Sequence, residues 1–113
     1  MCTRIELRTI LNELEKSYLE AYGSRLSKII LYGSYARGDY RDDSDIDVAA
    51  IVKGSRPEIQ QELNKVWDKA DDLELEYEVI VSPTAIPLDE YEKWKDSLPY
   101  YRNIENEGVM IHG

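Results

Sequence analysis

The sequence predicts an α/β (α+β) domain in which helices flank a small mixed β-sheet. Three observations carry that reading. Two apolar runs, Lys28 to Tyr32 and Val48 to Val52, are strand-sized. Longer stretches with apolar residues at helical spacing lie on either side of them. A further stretch, Leu73 to Val81, alternates strictly between apolar and polar residues over most of its length. Strands interleaved with helices in a unit of 113 residues describe one domain with one core, spanning 1–113.

Taken in order, Thr3 and Glu6 form a capping box at the start of a first helix over about residues 3–22. Ile5, Ile10, Leu11, Leu14, Tyr18 and Tyr22 supply its apolar face, and Gly23 ends it. Lys28 to Tyr32 is a buried strand closing on Gly33. Asp45 to Val52 is a second strand, acidic where it begins and apolar where it finishes. Ser55 or Arg56 precedes Pro57 at the start of a second long helix marked by Ile59, Leu63, Val66, Trp67 and Ala70. The alternation places Leu73, Leu75, Tyr77, Val79 and Val81 on one face of a third strand. Residues 82–87 then read as a loop, 88–107 as one or two short helices broken at Pro99, and 109–111 as a short terminal strand or a packed tail.

A net charge of −9 argues against a DNA-binding surface, which needs surplus Lys and Arg to displace counterions. Metal ions would let such a chain handle a polyanion; alternatively, its acidic surface would face a basic protein. No apolar run approaches the ~20 residues of a membrane span. The first residues lack the apolar stretch of a signal peptide, so a cytoplasmic location is expected. Lone Cys2 agrees, since it allows neither an internal disulfide nor a cysteine zinc site.

The chemistry concentrates in Gly33-Ser34-Tyr35-Ala36-Arg37-Gly38 and, with ten residues intervening after Ser34, Asp45-Ile46-Asp47. Glycine at a strand end lets the backbone turn sharply and approach a ligand with no Cβ in the way. A short helix beginning at Tyr35 would aim free N–H groups and the Ser34 hydroxyl at one spot suited to phosphate. Taken alone, Gly-Ser is also an ordinary turn. Asp45 and Asp47, two apart on a strand, point to the same side, so their charges repel unless a cation neutralises them. Oxygen-only ligands favour Mg²⁺ or Mn²⁺ over zinc. In isolation the same pair also reads as a solvated strand entrance.

In combination, Gly33-Ser34, the Ala36-Arg37-Gly38 extension and Asp45-Ile46-Asp47 resemble the nucleotidyltransferase superfamily of the DNA polymerase β type. Within it the chain resembles the minimal nucleotidyltransferases (MNT proteins). The resemblance implies a palm-like fold and two-metal transfer from ATP. Asp45 and Asp47 would be catalytic metal ligands, and Gly33 and Ser34 would grip the triphosphate. Arg37 and Ser44 would assist the phosphates or brace the loop. The family's third acid sits on the next strand, where this sequence offers Glu78, with Glu76 as runner-up. A Glu there would displace its carboxylate relative to Asp, and small misplacements cost rate.

Relatives that modify small molecules or RNA carry an additional domain for the acceptor, which is not expected here. The resemblance therefore implies an acceptor on another polypeptide. Small MNT proteins are commonly antitoxins of HEPN ribonuclease toxins, transferring AMP to a toxin tyrosine in a toxin–antitoxin hetero-oligomer. The alternative is an antitoxin, weak or inactive as a catalyst, that neutralises its toxin by binding.

Overall fold

A computed structural model of the chain describes residues 3–113. Cys2 lies outside the described residues, so its chemistry stays a sequence expectation. Helix α1 (Arg4–Tyr22) opens on the capping box: the Thr3 N–H donates to Glu6 Oε1 at 2.9 Å, and the Glu6 N–H donates to Thr3 Oγ1 at 3.1 Å. A single 3-10 turn after it leads into β1 (Leu26–Tyr32). There follow α2 (Ser34–Arg37), β2 (Asp45–Val52), α3 (Arg56–Tyr77), β3 (Ile80–Pro87), α4 (Leu88–Trp94), α5 (Pro99–Glu107) and β4 (Val109–His112).

One expectation is overturned. The stretch from Leu73 to Tyr77 is the last part of α3, not a strand, and the strand comes later, where a loop was expected. The alternation competed with a second pattern that runs into the same residues: Ile59, Leu63, Val66, Ala70 and Leu73 form a continuous buried helical stripe. Leu and Glu are strong helix formers, and an established helix extends at little cost per residue. Leu75, apolar in the alternating pattern, is left 84% exposed. The helix ends at Glu78, which takes the left-handed conformation at φ 55° and donates its N–H to the Glu74 carbonyl.

The sheet runs β3-β2-β1-β4, with β1 antiparallel to both neighbours and β2 parallel to β3. The edge position of β3 explains how it accommodates Pro83 and Pro87, which cannot donate to a ladder on both sides. Alternation along β2 sorts its side chains. Ile46, Val48, Ala50 and Val52 pack with α1 and α3, whereas Ala49 and Ile51 join Ile30, Ile86, Tyr91 and Ile104 beneath α4 and α5. Helices thus cover both faces, and Val48 to Val52 is wholly buried. Each large aliphatic side chain so buried contributes ~1.5–3 kcal/mol.

Polar ties fix the helices on the sheet and on one another. The Tyr18 hydroxyl donates to the Thr84 carbonyl at 2.8 Å, and the Tyr22 hydroxyl donates to the Ile59 carbonyl at 2.7 Å. His112 Nδ1 lies 2.7 Å from Glu15 Oε2, anchoring β4 to α1. Among the described residues no helix is long and apolar enough to cross a membrane.

Candidate active site

The parity that buries Ala49 and Ile51 under α4 and α5 carries Asp45 and Asp47 to the same face, just beyond the covered core. Neither is fully buried. In the antiparallel register Tyr32, the last residue of β1, sits opposite Asp47. The chain then turns at Gly33, with φ 76° and ψ −156°, a conformation that only glycine adopts without strain. A Cβ added there would lie 2.5 Å from Asp47 Oδ2. The glycine is therefore what lets the strand end and the carboxylate share this space.

After Gly33, α2 is one turn, closed by Gly38 and Asp39 N–H donation to the Ser34 carbonyl. Gly38 reverses the chain at φ 87°. The loop to β2 is braced at three places. The Tyr35 and Tyr40 rings stack with centroids 4.3 Å apart. Arg37 pairs with Asp39 at 3.2 Å and reaches Glu107 of α5, also at 3.2 Å. The Arg41 N–H donates to Ser44 Oγ at 2.7 Å. Ser44 is thus engaged in loop bracing, and Arg37 ties the loop to α5.

Burial, then the charge of Asp45, raises the Asp47 carboxyl above the usual carboxylate value, with Arg37 opposing. This is the electrostatic signature of two acids held together by the fold. Burial, followed by its hydrogen bond with Tyr100, pushes the Tyr32 phenol upward. The Tyr32 and Tyr100 hydroxyls are 2.9 Å apart, and their rings meet edge to face.

Glu78 and Glu76 stand elsewhere. Glu76 is an exposed residue of α3, and Glu78 is the exposed cap two residues before β3. Among the described residues no three acidic, histidine or cysteine side chains stand close enough to hold a metal ion together. On β3 the residue in register with Asp47 is Ser82, whose hydroxyl donates to Asp45 Oδ2 at 3.2 Å. Sequence reasoning missed Ser82, because its place depends on the register of a strand that the alternating pattern starts seven residues too early, at Leu73 instead of Ile80. Tyr32 could have been found, since it directly precedes the Gly33 turn.

Residues 6–110 match the family described as nucleotidyltransferase domain. Two relatives in Methanocaldococcus jannaschii, both named as proposed protein adenylyltransferases, are similar along nearly their whole length. One is 35% identical over 107 residues, 95% of this chain and 100% of the relative. The other is 31% identical over 102 residues, 90% of this chain and 94% of the relative. The fold resembles that of a solved toxin–antitoxin with AMP-PNP, at TM-score 0.52 and 20% identity over 88% of this chain and 69% of the other. It also resembles a variant of the toxin–antitoxin MntA-HpeT, at TM-score 0.53 and 17% identity over 91% and 69%.

Proposed function

This chain belongs to the nucleotidyltransferase family, and from that premise we propose that it is a protein adenylyltransferase serving as an antitoxin. The acceptor we propose is a tyrosine hydroxyl of a HEPN ribonuclease toxin, the donor ATP, and the unit one domain over residues 1–113. The observation that carries the reading is the Asp45–Asp47 pair, held on one face beside a glycine turn that leaves room only because Gly33 has no Cβ. The relatives' names support the nucleotide and the protein acceptor; the likeness to toxin–antitoxin structures supports the partner.

The donor set fits a divalent cation. Mg²⁺ is commonly held by one or two carboxylates together with substrate phosphates, and Asp45 and Asp47 supply the carboxylates. When bound, Mg²⁺ would offset the phosphate charge and polarise the phosphoryl oxygens. Gly33 and Ser34 would admit the triphosphate against the turn. Arg37, exchanging its exposed carboxylate partners for phosphate, would hold it there. The tyrosine oxygen bonds to the α-phosphorus, the bridge to the β-phosphate breaks, pyrophosphate leaves, and the phenolic proton passes to solvent. The attached nucleotide adds charge and bulk where the toxin would bind RNA.

The absence of a third acid beside the pair, among the described residues, favours a second reading: neutralisation by binding alone. Incubating the purified pair with labelled ATP separates them. Label at the α-phosphate should appear on the toxin and label at the γ-phosphate should not; a toxin neutralised without either label supports the second reading.

A further inference from the structure

We infer that Ser82 is a positioning residue for Asp45 and that its place in the sheet is where a third carboxylate would complete the acid pair. The inference rests on the nucleotide-transfer reading but on a different observation. The β2–β3 register is parallel and unbroken, pairing Asp45 with Ile80 and Asp47 with Ser82. Ser82 shares strand parity with Ile86, which lies in the cluster under α4 and α5, and so it faces the same side as both acids. Its hydroxyl donates to Asp45 Oδ2 at 3.2 Å, and the contact is partly buried.

A carboxylate on a flexible side chain has two oxygens and free rotation. A hydroxyl fixed on the neighbouring strand holds one of those oxygens and leaves the other for a ligand. Such a partner orients a metal-binding group without binding the metal itself, and losing it typically lowers metal affinity ~10–100-fold. The bond here is 3.2 Å long and only partly buried, so the low end of that range is expected. Ile80, the other β3 residue on this face near the pair, is apolar and 49% exposed. Glu78, next along the chain, has left the sheet for the α3 cap. The only polar group that β3 places against the acids, among the described residues, is Ser82.

Mn²⁺ binding in the presence of ATP, followed by electron paramagnetic resonance on the full chain, tests this apart from turnover. Ser82→Ala should weaken binding ~10-fold, and Ser82→Thr, which keeps the hydroxyl, should restore most of it. In an Asp45→Asn background, Ser82→Ala should have little further effect, because its action runs through Asp45. Ser82→Asp should tighten binding at least several-fold by turning the pair into a trio, whereas Glu78→Gln should leave it unchanged. Ser82→Ala binding like the parent, or Glu78→Gln weakening it as much, overturns the inference while leaving nucleotide transfer intact. A parent chain that binds neither Mn²⁺ nor ATP overturns both. Thermal melts without metal confirm that each variant is folded.

Discussion

Gly33 and Asp47 occupy one another's space: a Cβ on the glycine would stand 2.5 Å from the carboxylate oxygen Oδ2 and 3.4 Å from its Cγ. The backbone there has φ 76° as well, so an alanine meets both a clash and a strained conformation. Gly33→Ala should therefore cost ~1–3 kcal/mol from the backbone alone, and more from displacing Asp47. Gly38, at φ 87° with open space around it, is the control. Gly38→Ala should cost only its left-handed strain, ~1–2 kcal/mol. Urea denaturation measures the stabilities. Metal and nucleotide binding should fall for Gly33→Ala and survive in Gly38→Ala.

Much of the fold is legible in the sequence, and the limits follow from particular residues. Thr3, Glu6 and Gly23 are local signals, so the bounds of α1 could be read from neighbours in sequence. Asp45 to Val52 was readable because an apolar run of that length, buried on both faces, suits a central strand. The segment from Leu73 to Val81 was not, because alternating Leu and Glu satisfies a strand pattern while intrinsic propensity and the preceding stripe favour helix. Pro83 and Pro87 then disguised the true strand as a loop, since only an edge position makes them tolerable. That displacement moved Glu78 out of the sheet and left Ser82 opposite Asp47. Register across strands is a non-local property, and no local pattern encodes it.

Arg37 is divided between Asp39 and Glu107, and all three side chains are well exposed. Exposed pairs of this kind contribute ~0–1 kcal/mol, so the guanidinium can leave them for a triphosphate at small cost. Glu107→Gln should raise ATP affinity two- to fivefold by freeing Arg37, with stability within ~0.5 kcal/mol of the parent. Arg37→Gln should lower ATP affinity ~10-fold, the worth of one charge-assisted contact. Calorimetric titration with Mg-ATP measures both; equal affinities across the three proteins would restrict Arg37 to bracing the loop.

Alkaline pH tests the helix layer through Tyr22. Burial pushes its phenol from 10.0 up to about 12, and its hydroxyl donates to the Ile59 carbonyl at 2.7 Å. In the unfolded chain this phenol ionises first, so rising pH releases more protons from the unfolded state and favours it. The stabilisation is full below pH 10.0 and is lost progressively as pH rises towards about 12. Tyr22→Phe should be less stable than the parent at pH 7 by ~1 kcal/mol, the net value of a hydrogen bond. The gap should narrow above pH 10. Melts across that range that keep the two curves parallel would contradict the assignment.

Repulsion between Asp45 and Asp47 makes a prediction in metal-free solution. Removing either charge relieves the other, and burial already disfavours the ionised form of Asp47. Asp45→Asn and Asp47→Asn should each be as stable as the parent or up to ~1 kcal/mol more stable in EDTA. The advantage should disappear in Mg²⁺-ATP, where only the parent gains from binding. Thermal melts in the two buffers give the comparison directly, and a large loss of stability in EDTA would mean that the pair has a structural role.

Covalent transfer of AMP to the partner is what separates an adenylyltransferase from a binding antitoxin. The direct measurement is the intact mass of the toxin after co-expression with the parent chain and with the Asp45→Asn/Asp47→Asn variant. The parent should leave the toxin heavier by multiples of ~329 Da, one per AMP, and the added groups should map to tyrosine. The variant should leave it unmodified and toxic. A toxin of unchanged mass that both proteins neutralise equally well would contradict the adenylyltransferase reading.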